Sequence, residues 1–177
     1  MNTESVLAQW HEAERRARAG IGSPGVASRQ DLRARSGLQF FEDMLAGRLP
    51  GPPIGELMDF VPVEFEVGRF VFQGTPGARH YNPIGTVHGG YAATLLDSCV
   101  GCAIHTQLPA GKGYTTLELK VNYVRPLTAE TGPIRAEGKV VSLTNQIGIA
   151  EGRIVDVRGK LYAYATTTCL LFPLPDA

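Results

Sequence analysis

A chain of 177 residues has room for one core-bearing domain and an appendage. Apolar residues make up 44% and charged residues 19%, an ordinary globular composition. Seventeen basic side chains balance seventeen acidic ones, which argues against a nucleic-acid binder that works by neutralising phosphates. The opening "MNTESVLAQW" carries an early acid and no apolar run, and no stretch is long enough for a membrane-spanning helix. A cytoplasmic protein with no membrane partner is expected. Three cysteines, Cys99, Cys102 and Cys169, are an odd set and do not suggest a disulfide framework.

Leu7, Trp10, Ala13 and Ala17 recur at helical spacing and predict an amphipathic helix from about 4 to 19. "GIGSPGVASRQ" breaks it. A second helix is predicted from the N-cap Ser36, carrying Leu38, Phe41 and Leu45, and "GRLPGPPIG" ends it. Residues 1–54 read as a helical extension that packs on the domain or covers one end of a site. Residues 55–177 read as the domain proper.

From Val61 the period changes to two. "VPVEFEVGRFVFQG" predicts two short strands, with Val61, Val63, Phe65 and Val67 on one face and Glu64 and Glu66 on the other. Gly68 marks a hairpin turn or a bulge. After the loop "TPGARHYNPIG" comes a helix that is apolar nearly all round, from Gly90 to Ile104. Four longer strands follow, predicted as an antiparallel meander. In the first, "YTTLELKVNYVRP", Leu117, Leu119, Val121 and Tyr123 alternate with polar residues. A helix apolar on every side must be covered on most sides, and a curved antiparallel sheet wrapped around it would do so. The expected class is α+β. No Gly-rich phosphate loop is present in the sequence.

Asp97 is the anomaly in that helix, with Leu95, Leu96, Cys99 and Val100 around it. A partly buried carboxylate can attack a carbonyl or take a proton from water. Burial would raise its pKa, a nearby hydroxyl would lower it, and the sequence leaves the sign open. At the helix start, Gly89 and Gly90 leave backbone N–H donors unshielded, and such donors suit a developing oxyanion. His88 precedes Asp97 by nine residues, about 13.5 Å of helix rise and two and a half turns, so the two side chains point to opposite faces. Either they do unrelated jobs or they meet across a two-fold dimer.

"NPIGTVHGGYAATLLD" resembles the signature of the hotdog-fold acyl-CoA thioesterases of the phenylacetate-pathway (PaaI-like) type. Asn82 stands six residues before His88-Gly89-Gly90, and Asp97 nine residues beyond His88. "TTLELKVNYVRP" is similar to the family's next strand. The resemblance covers roughly residues 55 to 173. It implies a hotdog fold, with hydrolysis of an aryl-acetyl or medium-chain acyl-CoA to free acid and coenzyme A. It implies Asp97 as general base or nucleophile and the Gly89 N–H as oxyanion donor. Asn82 and His88 would position thioester or water from the opposite subunit, with Gly90 beside the substrate. A hydroxyl from Thr116, or from Thr115, would support the water or leaving group. A homodimer is the minimum unit and a homotetramer the family's habit. No metal and no cofactor are implied.

Blander readings stand beside these. Asn82 before Pro83 is an ordinary turn residue. Cys99-x-x-Cys102 lies inside an apolar helix and reads as packing rather than as a redox pair. His11, His80 and His105 have no ligand-spaced partners. Arg125 touches coenzyme phosphates or only solvent. The rival function is a non-catalytic acyl-CoA sensor on the same fold. A hotdog dehydratase would need a different pairing of His and acid.

Overall fold

The computed structural model describes residues 2–175. Its centre is helix α5, Gly89–His105, lying on a six-stranded sheet in the order β3-β4-β6-β7-β8-β5. The strands are β3 (Phe60–Glu66), β4 (Arg69–Gly74), β5 (Lys112–Tyr123), β6 (Ile134–Leu143), β7 (Ile147–Asp156) and β8 (Leu161–Pro173). Every pairing in the sheet is antiparallel. The last three strands form the expected meander. The strand before them does not join it, because β5 pairs with β8 at the far edge while β6 pairs with β4. α5 is the connection between β4 and β5 and crosses over the sheet from one to the other.

Glycines on the inner face let the helix come close. A Cβ on Gly138 would lie 2.3 Å from the Cys99 carbonyl oxygen, and one on Gly152 would lie 2.7 Å from Val100 Cγ1. Leu95, Leu96, Cys99, Val100, Ala103 and Ile104 are fully buried as a result. Burial pushes the Cys99 thiol well above its ordinary range and the Cys102 thiol up to about 12, so neither is poised as a thiolate.

Two bulges overturn the simple alternation read from sequence. In β3 the register shifts between Pro62 and Glu64, so Phe60, Pro62 and Phe65, opposite Gly74, Phe72 and Phe70, share the inner side. Val61 and Glu64 stand on the outer side instead of Val61 sharing a face with Phe65. In β5 the shift falls between Thr116 and Glu118. The extra residue, Leu117, is 58% exposed and does not share the face of Leu119 and Val121. One inserted residue reverses the parity of everything after it. Gly68, at φ 81°, makes the β3–β4 hairpin turn.

The N-terminal third is built from α1 (Thr3–Gly20), β1 (Gly22–Pro24), α2 (Arg29–Ala34), α3 (Gly37–Leu45), β2 (Pro50–Gly51) and α4 (Pro53–Met58). Asn2 and Ser36 cap α1 and α3, and Ser36 forms a full capping box with Gln39. The pattern had no signal for α2 and α4, which are six residues each. α1 seats on the outer face of the sheet. Buried Gln73 donates to the Trp10 carbonyl and to Glu14, both at 3.0 Å, and Arg135 lies 4.5 Å over the Trp10 ring. Phe41, Met44 and Leu49 join the same core as the sheet and α5. The start of α3 is pressed on the end of α5. Gly37 N–H donates to Leu108 O at 3.0 Å, and a Cβ there would lie 1.7 Å from the His105 carbonyl oxygen.

Candidate active site

The loop before α5 is held by backbone bonds. His88 N–H donates to His80 O at 2.7 Å, and Val87 N–H donates to Leu127 O at 3.0 Å. Asn82 organises the turn that leads into it. Its Oδ1 accepts from the N–H groups of Ile84 and Thr86, and its Nδ2 donates to Thr86 Oγ1 at 3.0 Å. Much of the Asn82 carboxamide is therefore engaged in the turn.

His88 is the N-cap of α5. Its Nδ1 accepts from Gly90 N–H at 2.8 Å, which leaves Nε2 as the donor of the neutral ring. The Gly90 N–H, expected to be open at the helix start, is thus occupied. The Gly89 N–H has no protein acceptor among the described residues. Both glycines answer to crowding. A Cβ on Gly89 would lie 3.2 Å from the Tyr123 ring, and one on Gly90 would lie 2.9 Å from His88 Nδ1. Tyr123 also donates its hydroxyl to Gly89 O at 3.1 Å, a contact that the sequence reading missed.

Asp97 departs from expectation. It is exposed, on the side of α5 that the sheet leaves open, because the curved sheet covers the other faces. Its Oδ1 accepts from Thr116 Oγ1 at 2.9 Å. The β5 bulge is what permits this: Thr116 faces the helix before it, and Leu119 and Val121 face the helix after it. Thr115 is exposed and makes no such contact. The Cys169 thiol, on the neighbouring strand, sits 3.9 Å from Thr116 Oγ1.

The sequence-predicted residues fall into two groups in one chain. Asn82, His88 and Gly89 line a cavity of about 300 Å³ with Tyr123 and Arg125. Arg125 donates to the Leu161 carbonyl oxygen at 2.6 Å. Asp97 and Thr116 line a different cavity, of about 410 Å³, whose walls are mostly apolar. His105 and Tyr114 belong to it as well, and no motif pointed to them. Among the described residues, no three His, Cys, Asp or Glu side chains are grouped to hold a metal ion. No helix among them is long and apolar enough to cross a membrane.

His105 rests among the rings of Phe40, Phe41 and Tyr114, with centroids 5.2 to 5.6 Å away. Burial pushes its pKa down to about 4. The folded ring stays neutral where the unfolded one takes up a proton, so stability is full above the ordinary histidine range and falls as pH drops toward about 4. The effect is on the order of 3 kcal/mol at most. In urea unfolding at about pH 7 and about pH 4.5, His105→Phe is expected to lose less stability on acidification than the native chain. Equal losses would remove His105 from the acid response.

The sequence profile of the thioesterase superfamily matches residues 84–163, which span His88, Gly89, Asp97 and Thr116. A solved protein of Thermus thermophilus is 30% identical, with 68% of this chain and 97% of that chain covered and a TM-score of 0.61. The chain belongs to the thioesterase superfamily. Its hotdog fold is shared with a phenylacetic acid degradation-related protein of Ralstonia eutropha, at 26% identity and a TM-score of 0.67. That match covers 98% of the Ralstonia chain but 73% of this one, so about a quarter of this thioesterase-superfamily chain has no counterpart there. A protein of Halobacterium salinarum with a provisional esterase name is 38% identical over 73 residues, which is 40% of this chain and 46% of that one. The chain spans under half the length of the curated relatives it matches.

Proposed function

We propose that the protein hydrolyses an acyl-CoA, aryl-acetyl or medium-chain, to the free acid and coenzyme A. The observation that carries this reading is the pairing of Asp97 with Thr116 at an apolar cavity, under a family profile that spans both residues. Thr116 donates to one carboxylate oxygen and leaves the other for work. That oxygen takes a proton from water as the water oxygen attacks the thioester carbonyl, or it attacks the carbonyl itself. On the first route the C–S bond then breaks and the coenzyme A sulfur leaves with the proton that Asp97 took from water. On the second the thiolate leaves a mixed anhydride on Asp97, which a water molecule hydrolyses to the free acid and the carboxylate, supplying the proton.

The oxyanion needs a donor that is free and fixed, and the Gly89 N–H fits that need. It lines the other cavity, together with His88 and Asn82. A two-fold homodimer resolves the separation by setting one protomer's α5 start against its partner's Asp97. β5 supports this assembly. It is a twelve-residue strand at the edge of the sheet, with Leu117 and Tyr123 exposed along it and Val124 exposed just after it. Such an edge is an invitation to pair. A tetramer built from two such dimers, in the cytoplasm, completes the proposal, with residues 1–54 as an extension added to the hotdog domain at 55–177.

Thiol release from purified protein should be measured across phenylacetyl-, benzoyl-, short-, medium- and long-chain acyl-CoAs. Turnover of phenylacetyl-CoA or of a medium-chain member is expected. Tight binding across the panel without release would replace the enzyme by an acyl-CoA sensor on the same fold.

A further inference from the structure

The cavity beside Asp97 is only half made by the hotdog elements. α5 and β5 supply Asp97, Ser98, Cys102, His105, Tyr114 and Thr116. The facing wall comes from the N-terminal segment, with Val26, Leu32, Phe40, Phe41, Met44 and Ile54. Along α5 the lining runs from Asp97 to His105, eight residues and about 12 Å of rise. At the His105 end the rings of Phe40 and Phe41 line the cavity and pack on the imidazole. That packing is fixed in place, because Gly37 locks α3 to the backbone at the end of α5.

We propose that residues 25–54 form the acyl-end wall of this site and set the size of acyl group it accepts, with Phe40 as the stop. The inference rests on the thioesterase reading above and adds the element that selects the substrate. A cavity of about 410 Å³ lies toward the small end of ligand sites, which run to about 1,000 Å³. It suits an acyl group and not the whole coenzyme. Its lining is apolar apart from the Asp97–Thr116 pair and a few groups on α5 and β5, so it favours an acyl tail without charge. An acetyl group leaves most of the wall uncovered. A medium-length chain or a single ring fills it, and each methylene that finds the wall is worth about fourfold. A long fatty chain laid along α5 meets Phe40.

The test compares kcat/KM for acetyl-, octanoyl- and palmitoyl-CoA in the native chain, in Phe40→Ala and in Ile54→Trp. Thermal shifts with the non-hydrolysable thioether analogues of the same three are read in parallel. The native chain should prefer octanoyl. Phe40→Ala should raise the palmitoyl-to-octanoyl ratio about tenfold or more, and Ile54→Trp should lower the octanoyl-to-acetyl ratio by a similar factor. Ile54 is 44% exposed, so that variant carries the test if Phe40→Ala does not fold. Unchanged ratios in the variants overturn the proposal and leave the thioesterase reading intact. If the native chain hydrolyses nothing, the thioesterase reading falls, and the thioether shifts decide the wall alone: the same order of protection in all three proteins overturns it.

Discussion

Asp97→Asn is expected to lower turnover of the best acyl-CoA by about 10²–10⁴-fold while leaving the melting temperature unchanged. The substitution keeps size and shape. The amide oxygen still accepts the Thr116 hydroxyl that the carboxylate accepts at 2.9 Å. Asp97 is exposed and buries no charge in the single chain, so the fold has little to lose. What disappears is the negative oxygen that takes a proton or attacks the carbonyl. Thiol release and circular dichroism on the same sample separate the two effects. Full activity in a folded Asp97→Asn protein would end the proposed mechanism.

The second large effect lies in the fold. Gly138→Ala places a methyl 2.3 Å from Cys99 O and 2.8 Å from Val100 N, both backbone atoms of α5. The helix cannot step aside, because Gly152 on the next strand already lies under Val100. Overpacking of this kind costs about 1–3 kcal/mol, occasionally more, and rigid backbone on the receiving side puts this case at the upper end. For a chain of this size that lowers the melting temperature by on the order of 10 °C. Gly77→Ala is the control, since a Cβ there meets nothing within 4 Å. A scanning calorimetry trace in which both variants melt like the native chain would show that α5 does not rest on the sheet as described.

Periodicity and composition made most of the architecture readable. The change from helical to alternating spacing at Val61, the apolar run of α5 and the cap at Ser36 are local signals that local structure obeys. The errors came from features without a local signature. A bulge adds one residue to a strand, and nothing in "TTLELK" or "VPVEFE" says that Leu117 or Val63 is the extra one. Strand order is a matter of long-range pairing, so β5 passing to the far edge was invisible. The exposure of Asp97 depended on where the sheet stops. In the site, motif spacing singled out Asn82, His88, Gly89 and Asp97 and left Thr115 and Thr116 open. The hydrogen bond to Asp97 distinguishes the two threonines. His105, Tyr114 and Phe40 carried no motif, because a cavity wall needs only apolar bulk from distant parts of the chain.

The seat of α1 has a consequence for biosynthesis. Trp10 and Glu14 leave the ribosome well before Gln73 and Arg135, which receive them. Domains fold as units during synthesis, and this unit cannot finish until β6 has emerged. α1 therefore docks well after it is made, and until then its tryptophan is open to chaperones and to other nascent chains.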